Sequence, residues 1–351
     1  MPIKLKDIGS FRLDLPGRVS PYILVHWIGN IFRSAIDQKA QLRPYFATYY
    51  TTLRCNLACT FCGEFPNASY PELDTGQAKR LLEIIRADCP SIYFTGGEPT
   101  LRNDIVELCR FSKEIGFSPV SLNTNASLLH VRPDLPRQLD HLVVSLNTLD
   151  VDKFSLQSRS SADMARRIQR NIAKCSARQR ECGFRLTINC VVTPETIADT
   201  PGVMDFCFDH GATFALAAKL VGHRPDRGLA GDPRWEALVD YVLARKDEGK
   251  PVSNTRVFLD HVRRFEPFDC NPTSVPHIYP MGEVLYPCQV LKGAAVGLLE
   301  TGSYAEAVRR CREQYGPIPR CARQCHLACY MESSMATTNP MMYLRGGSGC
   351  A

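Results

Sequence analysis

Short runs of β-branched and aromatic residues alternate with longer segments of helical periodicity from about residue 46 onward. This alternation is typical of a mainly parallel sheet with crossover helices. It predicts six βα units between residues 45 and 220. The first crossover helix is expected at residues 76–87, with an N-cap at Asp74 or Thr75, and one long helix is expected at residues 162–182. The strand-like runs are residues 46–53, 91–94, 119–122, 141–146, 184–192 and 213–219.

The composition changes twice after the sixth unit. Residues 221–269 open with the Gly-, Pro- and charge-rich text VGHRPDRGLAGDPR and then favour two helices, so they predict a linker followed by helices. Residues 270–351 include six cysteines between Cys270 and Cys329, which favours a small domain held together by metal. Ahead of the barrel, residues 1–44 predict an N-terminal helical extension.

Length and composition narrow the class of protein. A chain of 351 residues with 44% hydrophobic and 22% charged residues is long enough for about two folded domains. The net charge of +6 is spread without a basic block, so no nucleic-acid partner is expected. No uninterrupted apolar run is long enough to span a membrane, and residues 1–10 lack the apolar core of a secretion signal. We therefore expect a cytoplasmic protein, in which the sixteen cysteines are more often metal ligands or catalytic groups than disulfides.

Three of these cysteines, Cys55, Cys59 and Cys62, have the spacing Cys-x3-Cys-x2-Cys directly after the first predicted strand. Three thiolates on one tight loop can bind three corners of a cubane iron–sulfur cluster. The fourth iron would keep an open position that can chelate a substrate. A zinc site built from Cys59, Cys62 and two distant ligands is the alternative, although the third cysteine and the position after a strand do not suit a zinc ribbon.

With Phe61 as the residue before the last cysteine, the loop resembles the Cys-x3-Cys-x-aromatic-Cys signature of the radical S-adenosylmethionine (SAM) superfamily. The resemblance implies a partial (β/α)6 barrel of the TIM type. It also implies that Cys55, Cys59 and Cys62 are the catalytic residues that hold a 4Fe–4S cluster. In the family, the open iron binds the amino and carboxylate groups of SAM, and the reduced cluster cleaves SAM to a 5′-deoxyadenosyl radical. Phe61 would pack near the adenine.

Motifs at later strand ends extend the resemblance. Residues 95–99 (TGGEP) match the family's GGE motif: Gly96 and Gly97 would let the backbone approach a ligand closely, and Glu98 would accept a hydrogen bond from the SAM ammonium group. Residues 121–125 (SLNTN) resemble the family's strand that ends in Thr-Asn. They add Asn123 and Asn125 to the candidate SAM-binding residues.

Three further candidates follow the fourth strand. Ser145 and Asn147 resemble the segment that contacts the ribose and the methionyl carboxylate, with a strand-end polar pair as the alternative. Arg159 stands where related enzymes often have an arginine that pairs with the SAM carboxylate, and an arginine fork suits that anion. A solvated loop arginine is the alternative for Arg159.

The C-terminal cysteines resemble the twitch or SPASM extensions of radical SAM enzymes, in which a hairpin and a Cys-rich turn hold auxiliary clusters. Cys270 and Cys288 flank a predicted hairpin. The following spacing, Cys321-x3-Cys325-x3-Cys329, departs from the usual Cys-x2-Cys. We expect one auxiliary 4Fe–4S cluster on Cys270, Cys288, Cys321 and Cys325, with Cys329 as the substitute ligand. A structural zinc remains the alternative.

The resemblance implies an enzyme that abstracts a hydrogen atom from its substrate, with oxidation, rearrangement or C–C bond formation as the outcome. Fifty-four residues precede Cys55, too few for a full leader-recognition domain, so we expect a small-molecule substrate first and a maturase of ribosomally made peptides second. A non-catalytic zinc or iron–sulfur module is the remote alternative. A reductant such as flavodoxin or ferredoxin is the expected partner. The amphipathic residues 21–37 are expected to close the barrel, with contact to a membrane surface as the alternative.

Overall fold

A single nine-stranded sheet organises the computed structural model, which describes residues 21–37, 40–62, 69–222, 224–318, 321 and 325–340. Its strand order is β11-β10-β9-β1-β2-β3-β4-β5-β6, and β1 to β6 run parallel to one another in chain order. This is the predicted partial (β/α)6 barrel. The strands are β1 Ala47–Thr52, β2 Ile92–Gly96, β3 Val120–Thr124, β4 His141–Ser145, β5 Arg185–Val192, β6 Thr213–Ala218, β7 Leu220–Val221, β8 Arg224–Pro225, β9 His277–Ile278, β10 Glu283–Tyr286 and β11 Ala294–Gly297.

Helices cover the outer face of the parallel strands. The first crossover helix begins behind the N-cap Asp74, whose side chain accepts from the Gln77 N–H in a capping box. The helices are α1 Pro21–Ile36, α2 Thr75–Asp88, α3 Ile105–Glu114, α4 Val151–Ser158, α5 Ala162–Ser176, α6 Gln179–Cys182, α7 Thr200–Asp209, α8 Pro233–Asp247, α9 Arg256–Arg264, α10 Leu298–Thr301, α11 Tyr304–Tyr315 and α12 Ala328–Thr338.

The strands alternate between an apolar outer face and a more polar inner face, since successive side chains of a strand point to opposite sides. Phe94, Leu122, Val144 and Ile188 are fully buried in the main core. Parallel pairing brings the carboxyl ends of the strands to one rim, as in the pair Ser145↔Asn189. The polar residues that follow each strand therefore gather at that rim.

The C-terminal hairpin continues the same sheet. β9 pairs in parallel with β1 through Thr48↔His277 and Tyr49↔Ile278, and β10 pairs antiparallel with β9 and β11. The hairpin expected between Cys270 and Cys288 is therefore present, and it lies directly beside the strand that leads into the cysteine loop. The boundaries of the four predicted segments stay predictions.

One expected helix has a different end, and one helix of the structure was not expected. The long helix expected at residues 162–182 ends at Ser176, because the Gln179 side-chain amide donates to the carbonyl oxygens of Ser176, at 3.2 Å, and Gly211, while its oxygen accepts from the Leu186 N–H. Helix α4 was not predicted. Its N-cap, Asp150, accepts from the N–H groups of Asp152 and Lys153.

Among the residues that the structure describes, we find no helix that is both long enough and apolar enough to cross a membrane.

Candidate active site

The cysteine loop leaves the end of β1 and is fastened to the end of α4. The Ala58 N–H donates to the Ser158 carbonyl at 3.1 Å, and the Thr60 N–H donates to the Gln157 carbonyl at 2.7 Å. These carbonyls are among the last of α4, where a helix leaves acceptors without partners of its own. Helix α4 therefore fixes the backbone that carries Cys59.

Burial and neighbouring negative charges raise the pKa of two thiols of the loop, Cys55 and Cys59. Burial, followed by the charges of Cys62 and Cys55, raises the pKa of Cys59 to about 12. Burial also raises the pKa of Cys55, and the negative charges of Glu98 and Cys62 add to this effect. Thiolates crowded in this way are stabilised by a cationic centre between them, so the donor set fits an iron–sulfur cluster. Within the described residues, no three His, Cys, Asp or Glu side chains are arranged as a ligand set for a single metal ion.

Gly96 and Gly97 lie against the base of the cysteine loop. Gly96 has φ +135°, and a Cβ added there would come within 2.1 Å of the Thr52 carbonyl oxygen. A Cβ on Gly97 would come within 2.2 Å of the Arg54 carbonyl oxygen. The Gly97 and Glu98 N–H groups donate to the carbonyls of Thr52 and Arg54 at 2.9 and 2.8 Å. Because these glycines have no side chain, the backbone of Thr52 and Arg54 can pack directly against them. The motif alone did not predict this contact.

Glu98 is fully buried, and its carboxylate is engaged by protein donors. One oxygen accepts from the Thr100 N–H at 3.1 Å and from the Thr124 hydroxyl at 2.7 Å, and the other accepts from the Asn125 N–H at 2.7 Å. Desolvation raises the pKa of Glu98, while these hydrogen bonds oppose the rise. The carboxylate therefore ties the end of β2 to the end of β3, and its expected contact with a ligand's ammonium group stays a prediction.

One pocket brings together residues from the cysteine loop and from the rim. Its empty volume is about 320 Å³, which includes space open to solvent. Its lining comprises Leu57, Cys59, Phe61, Asn125, Ser145, Asn147, Phe154, Gln157 and Ser158. Five of these are candidates from the sequence: Cys59, Phe61, Asn125, Ser145 and Asn147.

The pocket's amides are held by local contacts. Asn125 donates through Nδ2 to Asn56 Oδ1 at 2.9 Å, and the same nitrogen lies 4.0 Å from Cys55 Sγ. Asn147 Oδ1 accepts from the Val191 N–H at 2.9 Å. Both side chains are thus oriented before any ligand binds.

Other candidates lie apart from this lining. Arg159 is exposed at the C-cap of α4, with the left-handed φ of 49°. Cys62 is exposed at the end of the described part of the loop. Asn123 is on β3, with a buried Oδ1 that has no hydrogen-bond partner.

Gln157 is a pocket residue that the sequence did not single out. Its Nε2 donates to the Thr193 hydroxyl at 3.2 Å, whereas its buried Oε1 has no hydrogen-bond partner. A buried acceptor without a donor is costly. It therefore marks a place where a ligand donor fits. The signal available in the sequence was the N-cap Asp150, which would have placed Gln157 on a helix beside the cysteines.

A second group of thiols lies beside the hairpin. Burial, followed by the charges of Cys325, Cys321 and Cys288, raises the pKa of Cys270 well above its usual value. Burial and the charges of Cys288 and Cys321 likewise raise the pKa of Cys325 to about 11. The four expected auxiliary ligands are therefore mutual neighbours.

Cys329 takes a different position, in the first turn of α12. Burial, followed by the charge of Cys325, raises its pKa to about 12. After burial, the negative charge of Cys329 also contributes to the raised pKa of Tyr93 in β2. Like Cys270 and Cys288, Cys329 packs against the small cluster that contains Cys325.

Comparison with known proteins finds a family match over the barrel. Residues 49–207 match the model of the radical SAM superfamily. A probable GTP 3′,8-cyclase of Methanopyrus kandleri is 34% identical over 163 residues, which cover 44% of this chain and 50% of that protein. An Fe-coproporphyrin III synthase of Methanosarcina barkeri is 28% identical over 217 residues, which cover 55% of this chain and 49% of that protein. The chain spans about half the length of the curated relatives it matches.

Solved structures share the fold over most of the chain. SuiB of Streptococcus suis matches with a TM-score of 0.61 and 20% identity, over 81% of this chain and 69% of SuiB. Native anSMEcpe with bound AdoMet matches with a TM-score of 0.58 and 16% identity, over 85% of this chain and 98% of that chain. At these identities the similarity establishes the fold alone.

Proposed function

Because residues 49–207 match the model of the radical SAM superfamily, we propose that the chain is a radical SAM enzyme that reductively cleaves SAM and abstracts a hydrogen atom from a small-molecule substrate. The observation that carries the proposal is the pocket at the strand rim. There, Cys59 of the loop shares a lining with Phe61, Asn125 and Asn147.

The thiols Cys55, Cys59 and Cys62 would hold the radical 4Fe–4S cluster of the superfamily. When bound and reduced, this cluster supplies the electron that cleaves the SAM sulfonium to a 5′-deoxyadenosyl radical. The protein's own contribution is to position the loop through α4 and to exclude water from the pocket.

The pocket residues supply complementary contacts to SAM. Phe61 offers an apolar surface for the adenine, and Ser145 and Asn147 offer polar groups for the ribose and the methionyl moiety. The Gln157 Oε1, which has no protein donor, can accept a hydrogen bond from SAM. Arg159 is proposed to pair with the SAM carboxylate through the long reach of its side chain. Gly96, Gly97 and Glu98 support this site by holding β2 against the loop.

The C-terminal thiols Cys270, Cys288, Cys321 and Cys325 are proposed to hold an auxiliary 4Fe–4S cluster. Their mutual effects on pKa support this set, with Cys321 and Cys325 preferred over Cys329. Such a cluster can accept an electron from the substrate radical, which makes the net reaction an oxidation or a bond formation. A flavodoxin or a ferredoxin is the proposed reductant of the first cluster.

A small-molecule substrate is supported by the names of the curated relatives, since the rim pocket itself is assigned to SAM. The curated relatives named above as cyclase and synthase act on small molecules by their names. A structure of SuiB is described as bound to the precursor peptide SuiA, so a peptide substrate is the competing outcome.

The experiment that tests the proposal is anaerobic reduction of the iron-reconstituted protein with SAM, with 5′-deoxyadenosine measured by chromatography. We expect production that Cys59→Ala abolishes. Cys109→Ala is the matched control, because Cys109 is a fully buried thiol of α3 in the apolar core. Cleavage that persists in Cys59→Ala would overturn the proposal. Stimulation by a low-molecular-mass fraction of cell extract supports a small-molecule substrate, whereas stimulation only by a peptide fraction overturns that part.

A further inference from the structure

Helix α1 is fixed to the rest of the protein by one face. Trp27 donates through Nε1 to the Ala336 carbonyl of α12 at 2.7 Å. Asn30 pairs with the backbone of Arg43 in both directions, with each hydrogen bond at 2.8 Å. The Asn30 side chain is fully buried, so this face of the helix packs against the protein in a fixed position.

The other face of α1 is apolar and exposed. At 100° per residue its large apolar side chains occupy one arc about 120° wide, as broad as the buried stripe of an ordinary surface helix. Their exposed fractions range from 40% to 89%. Contiguous apolar surface of this kind marks an interaction site. The side chains are Leu24, Val25, Ile28, Phe32 and Ile36.

The segment around this arc is basic. Residues 1–43 carry seven Lys or Arg and three Asp or Glu, a surplus of four, whereas the whole chain has a net charge of +6. Helix α1 itself contains no Asp or Glu, and Arg33 follows Phe32 at its exposed side. Two thirds of the net charge thus lie in the eighth of the sequence that contains α1.

We propose that α1 docks the protein onto the surface of an anionic lipid bilayer. The arc of Leu24, Val25, Ile28, Phe32 and Ile36 enters the boundary between headgroups and acyl chains. Arg33 beside Phe32 and the positive net charge of residues 1–43 attract lipid phosphates. A second copy of the chain is a less favourable partner for this face, because two copies would bring like charges together. The docking is independent of the reaction at the strand rim.

The test is co-sedimentation of the full, iron-reconstituted chain with vesicles of phosphatidylcholine alone or mixed with phosphatidylglycerol. We expect binding to the mixed vesicles that decreases as salt increases, since surface potentials are screened. The double variant I28E/F32E is expected to lower the partition coefficient by about tenfold or more. V131E is the matched control, because Val131 is 52% exposed on a different part of the surface.

Both variants are first checked by circular dichroism, and I28S/F32S, which adds no charge, serves as a milder second variant. Equal binding of wild type and I28S/F32S would overturn the proposal, as would absence of binding to the mixed vesicles. A dimer seen by light scattering that I28S/F32S dissociates would also overturn it, in favour of a second copy as the occupant.

Discussion

The Gly97 N–H donates to the Thr52 carbonyl oxygen at 2.9 Å, and the Gly97 Cα lies so near the cysteine loop that a Cβ would meet the Arg54 carbonyl oxygen at 2.2 Å. Backbone atoms on both sides make this contact rigid. The spacing between β1 and β2 at the rim therefore depends on a glycine at position 97.

Gly97→Ala should destabilise the protein by about 3 kcal/mol, because overpacking against backbone cannot be relieved by a rotamer change. Thermal unfolding followed by circular dichroism checks this. Gly202→Ala is the control, since Gly202 is in helix α7 with nothing within 4 Å of an added Cβ. A Gly97→Ala melting temperature equal to that of Gly202→Ala would contradict the packing described.

Cys288→Ala should remove one cluster and leave the other. Two cubanes contain about eight irons per chain, so the variant should retain about four. Iron and acid-labile sulfide after anaerobic reconstitution measure this. Cys329→Ala should keep close to the full content, because Cys329 is outside the proposed set of four ligands. Unchanged iron in Cys288→Ala would leave zinc, or no metal, at this site.

Gln157→Leu should weaken SAM binding about tenfold, the effect of losing roughly one hydrogen bond to the ligand. Equilibrium dialysis with labelled SAM measures the dissociation constant. Thr193→Val removes the partner of Gln157 Nε2 without altering Oε1, so it should leave the affinity near that of the wild type. Equal weakening by both variants would show that Gln157 acts through its position alone.

His277 should make the protein less stable in acid. It is buried, its Nδ1 is 2.7 Å from the Tyr330 hydroxyl, and burial lowers its pKa from 6.5 to about 4. The folded state keeps the imidazole neutral. Its stabilising contribution is therefore complete above pH 6.5 and is lost as the pH falls toward about 4, to the extent of about 3 kcal/mol.

Urea unfolding at several pH values measures this dependence. His277→Gln should flatten the curve between pH 6.5 and 4, while His141, whose pKa burial also lowers to about 4, keeps part of the slope. His130→Gln, at an exposed position, should leave the curve unchanged. Parallel curves for His277→Gln and wild type would mean that another group titrates.

The barrel could be predicted from the sequence because its signals are local. The strands are short runs rich in β-branched and aromatic residues, and the Asp74 capping box marks the start of α2 within four residues. The cysteine loop was equally visible, since its three thiols and Phe61 lie within eight residues. The rim residues Asn125, Ser145 and Asn147 followed from the resemblance of their segments to the radical SAM family, together with the rule that parallel strands end at one edge.

The remaining features depend on contacts that are distant in the chain. Helix α4 has a short, weakly apolar sequence, and its importance comes from the carbonyls of Gln157 and Ser158 that hold the cysteine loop about one hundred residues earlier. The end of α5 is set by Gln179, with no Gly or Pro to announce it. The burial of Glu98 among protein donors needs β2 and β3 side by side.

The pairing of β9 with β1 has a consequence for how this chain tolerates changes in length. Because Thr48 and Tyr49 are in register with His277 and Ile278, the hairpin before Cys288 and the loop after β1 are parts of one rigid frame. An insertion between β9 and β10 would shift Cys288 relative to Cys55, whereas extra residues in the segment after β6 would leave both in place. Related chains should therefore vary in size at residues 221–232 and keep the β9–β10 turn constant.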